Sequence, residues 1–236
     1  MAALLILTSL LITTLFPHLS SASPVNGIAS TNTVNLNLNQ TLQLEPWQIT
    51  RLSTFSPSLR PGSYPYSYLS LAISNPNTIN LGPTIFGDAI LPPTNTTCLV
   101  WWLDNVEDPR DAAWGVNTCS NSAGGLLTNK WTVQMLHPPP PAGNSSSGSG
   151  SSRVTMDFVL RFGLSEAVVL ENGGIMELRF EGEAAFKVGR GEEGGNMDGV
   201  CGGSGICSWG LKEGLAPVMV KQRLVEKRCR AWDCGL

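Results

Sequence analysis

Histidine is nearly missing from this chain, with only His18 and His137 among 236 residues. That shortage removes most schemes in which a positioned imidazole activates a serine or cysteine nucleophile. Charge is also scarce, at 14% of residues with a net of −3, so no basic field for nucleic acid is present. No Cys-x-x-Cys spacing occurs, which together with the lack of histidine argues against a zinc site. No Gly-Lys-Ser/Thr follows a glycine-rich turn, so the glycine stretch does not match a phosphate-binding loop and a disulfide-stapled turn is preferred. The Gly-x-Ser-x-Gly elbow fails as well, because Ile206 stands where its last glycine would follow Ser204. Past the amino-terminal stretch, apolar residues nowhere recur with the helical period, and no second run is long enough to span a bilayer.

That amino-terminal stretch, Met1 to Ala22, holds Leu4, Leu5, Ile6, Leu7, Leu10, Leu11, Ile12, Leu15 and Phe16 without a charged side chain. It reads as a signal peptide over 1–22, cut after the small residues Ser20 to Ala22 so that the mature chain begins near Ser23. Its apolar core falls short of the roughly 20 residues of a membrane span. The mature protein is therefore expected to be secreted, extracellular and free of the membrane. His18 leaves with the leader, and no cleavage here exposes the amino-terminal histidine that copper-dependent polysaccharide oxidation needs.

All six cysteines, Cys98, Cys119, Cys201, Cys207, Cys229 and Cys234, lie beyond the leader, and an even number in a secreted chain predicts complete pairing. Closeness in sequence favours the bridges 98–119, 201–207 and 229–234. Cys201 and Cys207 enclose Gly202, Gly203, Ser204, Gly205 and Ile206, a tight glycine-rich turn suited to a staple between strands. Sequons at Asn39, Asn95 and Asn144 predict glycosylation.

Alternation of apolar and polar residues predicts strands at Thr31 to Leu38, Trp47 to Phe55, Tyr66 to Ser74, Cys98 to Leu103, Trp114 to Cys119 and Trp131 to Leu136. It does so again at Val154 to Phe162, then on both sides of Glu171 to Gly174 as a hairpin, at Ala185 to Val188, and at Ala216 to Val225. Four consecutive prolines followed by glycine and serine make 138–152 an exposed, disordered loop. The expectation is one disulfide-stapled all-β domain over 23–236, a β-sandwich or β-barrel of roughly eight to eleven strands.

Few residues suggest chemistry. Glu177, Glu181 and Glu183 share one face at strand spacing, which suits either a solvated face or the pair of carboxylates, about 5 to 10 Å apart, of a glycosidase. Asp104, Glu107, Asp108 and Asp111 lack the glycine and terminal glutamate of an EF-hand loop, so a solvated turn is preferred to a calcium site. Lys221, Arg223, Lys227, Arg228 and Arg230 read as the solvated face of a last strand. Of the seven tryptophans, Trp101 and Trp102 point to opposite faces of a strand, which leaves one free to stack on a sugar or a partner.

Taken together, Trp47 to Gly62, Asn75-Pro76-Asn77, the mid-chain cysteine pair, Phe186 to Gly189 and Asn196 to Leu211 resemble small secreted cysteine-containing proteins of filamentous fungi. The layout is more weakly similar to the Alternaria-allergen-like group of secreted β-barrels. The resemblance covers most of the mature chain, with its specificity in the glycine–cysteine stretch. It implies a disulfide-bonded β protein without enzymatic residues, in some members acting on host plants.

The expected function is binding, by an effector-like or cell-wall or surface-associated protein. Its partner would be a polysaccharide or a host or surface protein, with no catalytic residue and no cofactor. The alternative is a secreted carboxylate-dependent glycoside hydrolase or another enzyme acting on wall polysaccharide.

Overall fold

The computed structural model describes residues 33–35, 43–84, 87–111, 114–121, 129–139, 153–170, 174–189 and 195–230, all within the compact unit Thr31–Leu236. The proposed leader, Asn39, Asn144, most of the proline-rich loop and Cys234 lie outside the described residues.

Among the described residues the regular elements are strands, and they build three sheets. A small sheet joins β1 (Thr33–Asn35), β4 (Thr78–Thr84) and β5 (Gly87–Leu91). The largest sheet is built on β2 (Trp47–Ser56), β3 (Tyr66–Asn75) and β6 (Thr94–Leu103). The hairpin of β12 (Met197–Cys201) and β13 (Cys207–Leu211) extends it beyond β2, β8 (Ser120–Asn121) closes its other side, and β14 (Val218–Val220) also pairs with β2. The third sheet runs in the order β15 (Gln222–Arg230), β11 (Ile175–Lys187), β10 (Asp157–Val169), β9 (Lys130–Leu136) and β7 (Asn117–Thr118).

Period-two patterning explains the layering. On β3, Ser67, Leu69, Leu71 and Ile73 are buried while Tyr66, Tyr68, Ser70 and Ala72 face outward; on β10, Phe158, Leu160, Phe162 and Leu164 turn the same way into the core. The inner faces of the two large sheets share one apolar cluster, in which Trp47 of β2 meets Trp131 of β9 edge to face at 4.9 Å. Each fully buried aliphatic side chain of that cluster contributes about 1.5–3 kcal/mol.

The chain changes sheets at two short corners. Lys221 alone separates β14 from β15, and the buried Gln222 that follows donates to Glu45 O at 2.5 Å and to Asn75 Oδ1 at 3.3 Å. Cys119 separates β7 from β8 and is bridged to Cys98 on β6. Among the described residues no ladder pairs a strand of one large sheet with a strand of the other, so the sheets do not close into a barrel. Of the two architectures open from the sequence, the sandwich is the one formed.

Both fully described bridges follow closeness in sequence, Cys98–Cys119 and Cys201–Cys207. Cys229 is disulfide-bonded too, but Cys234, its expected partner, is not among the described residues. Cys201 and Cys207 are opposed in the β12–β13 ladder, so the staple closes a hairpin. Gly199 within that hairpin has φ +155°, and a Cβ there would overlap the Ser208 carbonyl oxygen.

Some boundaries differ from expectation. Val154 to Met156 form a turn closed by Met156 N–H to Arg153 O at 2.8 Å, and the strand begins at Asp157. Buried Thr155 explains this: its carbonyl accepts from Thr54 Oγ1 and its hydroxyl bonds Ser56 Oγ at 2.8 Å, tying one large sheet to the other. The strand then runs through to Val169, absorbing the separate one expected after Ala167, and Ala185 to Lys187 belong to β11. Within Trp114 to Cys119 only Asn117 and Thr118 pair as a strand, and β4 and β5 lie where no strand was expected. Gly82, Pro83 and Gly87 mask that hairpin, whose register shifts between Asn80 and Pro83.

Candidate binding surface

The outer face of the largest sheet carries a row of aromatic rings. Phe55 of β2 is directly opposite Tyr68 of β3, and Tyr68 is directly opposite Trp101 of β6. Their alternation places them outside because Thr54, Leu69 and Trp102 beside them are buried. Ring centroids stand 5.2 Å apart from Phe55 to Tyr68 and 5.2 Å from Tyr68 to Trp101. Tyr64, on the loop before β3, adds an edge contact to Trp101 at 6.3 Å and a tilted one to Tyr66 at 5.3 Å. Such pairs add about 0.5–1.5 kcal/mol each, which fixes the rings before anything binds. Trp101, Tyr66 and Tyr64 remain exposed. In the next row Ser53 pairs with Ser70, and Leu99 stands beside Ser70, so hydroxyls and an exposed apolar side chain border the rings.

Where these strands end, the loops enclose a cleft of about 440 Å³, lined among others by Ser58, Leu59, Asn105, Val106, Arg153 and Gly205. Leu59 at φ 58° and Asn105 at φ 60° are non-glycine residues in the left-handed region, one on each loop. Such conformations cost about 1–3 kcal/mol each and concentrate at ligand sites. The acidic turn beside the cleft consumes its own carboxylates. Asp104 Oδ1 accepts from Ser67 Oγ at 3.0 Å, and Glu107 Oε2 accepts from Leu103 N–H at 2.7 Å. Asp108 receives Arg110 Nη2 at 2.7 Å and Nε at 2.9 Å. Burial raises the Asp108 carboxyl, but the Arg110 hydrogen bonds and charge outweigh it and hold the pKa below the usual value.

Asp108, Asp111 and His137 bring three ligand atoms within 4.8 Å of one another. His137 Nε2 lies 3.1 Å from Asp111 Oδ1 with both side chains exposed, while Asp108 is closed by the Arg110 guanidinium. That cation disfavours a second positive ion in the same place.

Glu177, Glu181 and Glu183 do share the outer face of β11, in a ladder of arginines. Arg161 Nε bonds Glu183 Oε1 at 2.7 Å, Arg179 pairs with Glu181 and with Glu226, and Arg228 pairs with Glu226. The hydrogen bond and charge of Glu181 hold the Arg179 guanidinium more firmly protonated. Directly opposite pairs such as Arg161 with Glu183 are the sheet counterpart of helical ion pairs, each worth about 0.2–1 kcal/mol at an exposed site. Lys221, Arg223 and Arg228 are exposed, as a solvated face requires, whereas Lys227 is half-buried and desolvation lowers its pKa. Arg230 is placed by its backbone on β15. Asn95, at the start of β6, is exposed on the same outer face as the aromatic row, in the register row of Ser74.

Glu166 and the cleft escaped the sequence. Glu166 is buried on the core side of β10, its Oε2 without a hydrogen-bond partner among the described residues, and burial pushes its pKa up to about 7. Its place in the alternation Phe162, Leu164, Glu166, Val168 was the available signal. The cleft had none, because it is assembled from loops far apart in the chain. No protein family, no curated protein and no solved structure matches this chain.

Proposed function

We propose that this is a secreted, glycosylated extracellular protein that acts by binding polysaccharide on the outer face of its largest sheet. The observation that carries the reading is Trp101, 43% exposed in a row of rings locked by cross-strand pairing. A sugar ring presents an apolar C–H face to an aromatic and hydroxyls to its sides, and the row is bordered by Ser53 and Ser70. Asn95 stands six residues from Trp101 along β6, about 20 Å away, so a glycan there leaves the rings clear. Secretion through a leader ending at Ala22 accords with disulfides at Cys98, Cys119, Cys201 and Cys207.

The hydrolase reading draws no support from Glu177, Glu181 or Glu183, because the arginine ladder gives two of them partners suited to a structural face. Two measurements test the proposal: sedimentation with insoluble wall glucans, xylan, chitin and pectin, and release of reducing sugar from the same panel. Retention on at least one polymer without sugar release supports it. Turnover abolished by Glu177→Gln, Glu181→Gln or Glu183→Gln overturns it. Sequencing the amino terminus of protein from the medium should begin near Ser23, and an intact Met1 would remove the leader from the account.

A further inference from the structure

We propose that the Cys201–Cys207 bridge is a thiol-exchange site, at which a low-molecular-weight thiolate attacks Cys201 Sγ and displaces Cys207 as a thiolate held by Arg153. The two halves of this bridge are unlike. Cys201 is exposed at the end of β12, whereas Cys207, which opens β13, has no exposed surface. An approaching thiolate therefore meets Cys201. Arg153 Nη1 donates to Cys207 Sγ at 3.2 Å, so a cation stands beside the sulfur that would leave. A guanidinium in that position lowers the thiol pKa, and a leaving thiol of lower pKa departs faster. Exposure thus selects the sulfur that is attacked and charge selects the sulfur that departs, and both select the same direction.

The electrons balance without a further oxidant. The incoming thiolate supplies the pair for the new bond to Cys201, and the old S–S bond breaks with its pair on Cys207. A second thiolate can then attack the mixed disulfide, leaving Cys201 and Cys207 reduced and the small thiol oxidised to its disulfide. The other fully described bridge offers no such entry, since Cys98 and Cys119 are both buried.

The hairpin closed by this bridge forms part of the cleft wall. Gly205 lines the cleft at φ +88° and faces Ser58, whose carbonyl oxygen would lie 3.4 Å from an added Cβ. Arg60 Nη2 donates to Gly203 O at 3.2 Å from the same side. Opening the bridge leaves the turn held by Gly202 N–H to Ile206 O and Gly205 N–H to Gly202 O, so exchange loosens one wall of the cleft while the core bridge stays closed.

The test treats the whole secreted protein with reduced glutathione under native conditions, traps free thiols at each time point with excess N-ethylmaleimide and maps the peptides over time. Glutathione should appear on Cys201 and the alkyl label on Cys207, about tenfold or more faster than any label on Cys98 or Cys119. Arg153→Gln should slow the reaction about threefold to tenfold and Arg153→Lys should restore most of the rate. Glutathione found mainly on Cys207, equal reactivity of Cys98–Cys119, or an unchanged rate in Arg153→Gln would overturn the proposal. Should Arg153→Gln fail to fold, the position of glutathione in the unaltered protein decides alone.

Discussion

Trp101 and Trp102 are consecutive on β6 yet lie on opposite sides of one sheet, 43% and 1% exposed. Trp102 fills the space between the sheets, whereas Trp101 rests on Tyr68 and stands open to solvent. Truncating the two should therefore have separate effects. Trp102→Ala is expected to cost about 3–5 kcal/mol in urea unfolding, as a large aromatic removed from a packed core does. Trp101→Ala should cost about 1–3 kcal/mol, since it forfeits the ring contacts to Tyr68 and Tyr64 but opens no cavity between the sheets.

Glu166 should make stability depend on pH in a defined window. Its carboxyl titrates near 7 in the folded chain against 4.5 for the ordinary group, because burial penalises the charge. The folded state thus holds the proton more tightly than the unfolded chain. This contribution is fully present below about pH 4.5 and is lost as pH rises through 7, reaching about 3 kcal/mol by pH 8. Glu166→Gln removes the titration, so the variant should be more stable than the parent at pH 8 and nearly equal at pH 4.5. Urea unfolding of both proteins at the two pH values measures this, and a difference independent of pH would contradict it.

Asn77 is a second buried polar residue, and this one is fully engaged. Its Oδ1 accepts from Glu45 N–H at 2.8 Å, while Nδ2 donates to Glu45 O at 2.9 Å and to Asn75 Oδ1 at 2.7 Å. Asn77→Ala withdraws the partner of the Glu45 N–H in a half-buried setting. The expected loss is about 1–3 kcal/mol, read from the unfolding midpoint with an unchanged denaturant slope.

The legible parts of the fold were those where one face of a strand is buried. Leu69, Leu71 and Ile73 declare their strand because a sandwich buries alternate residues, and Trp47 and Ile49 do so before the bulge that shifts the phase to Leu52. The Cys201–Cys207 staple was legible for a different reason, since only glycine-rich sequence turns so tightly between two cysteines. Val154 to Met156 misled because a turn alternates as readily as a strand when Thr155 is held by Thr54 and Ser56. Of the binding surface, the opposite facing of Trp101 and Trp102 could be read from their adjacency. The row that joins Trp101 to Tyr68 and Phe55 could not, because register between strands separated by long loops is fixed by the packed core.

The most direct measurement of the central claim is sedimentation of the parent protein, Trp101→Ala and the double variant Tyr68→Ala with Trp101→Ala against whichever wall polysaccharide retains the parent. Losing one stacking ring at an exposed site should weaken binding about fivefold to tenfold, and losing both should weaken it about fiftyfold or more, at unchanged circular dichroism. Parent-like retention of both folded variants would contradict the account, because the polymer would then be held somewhere other than the row formed by Phe55, Tyr68 and Trp101.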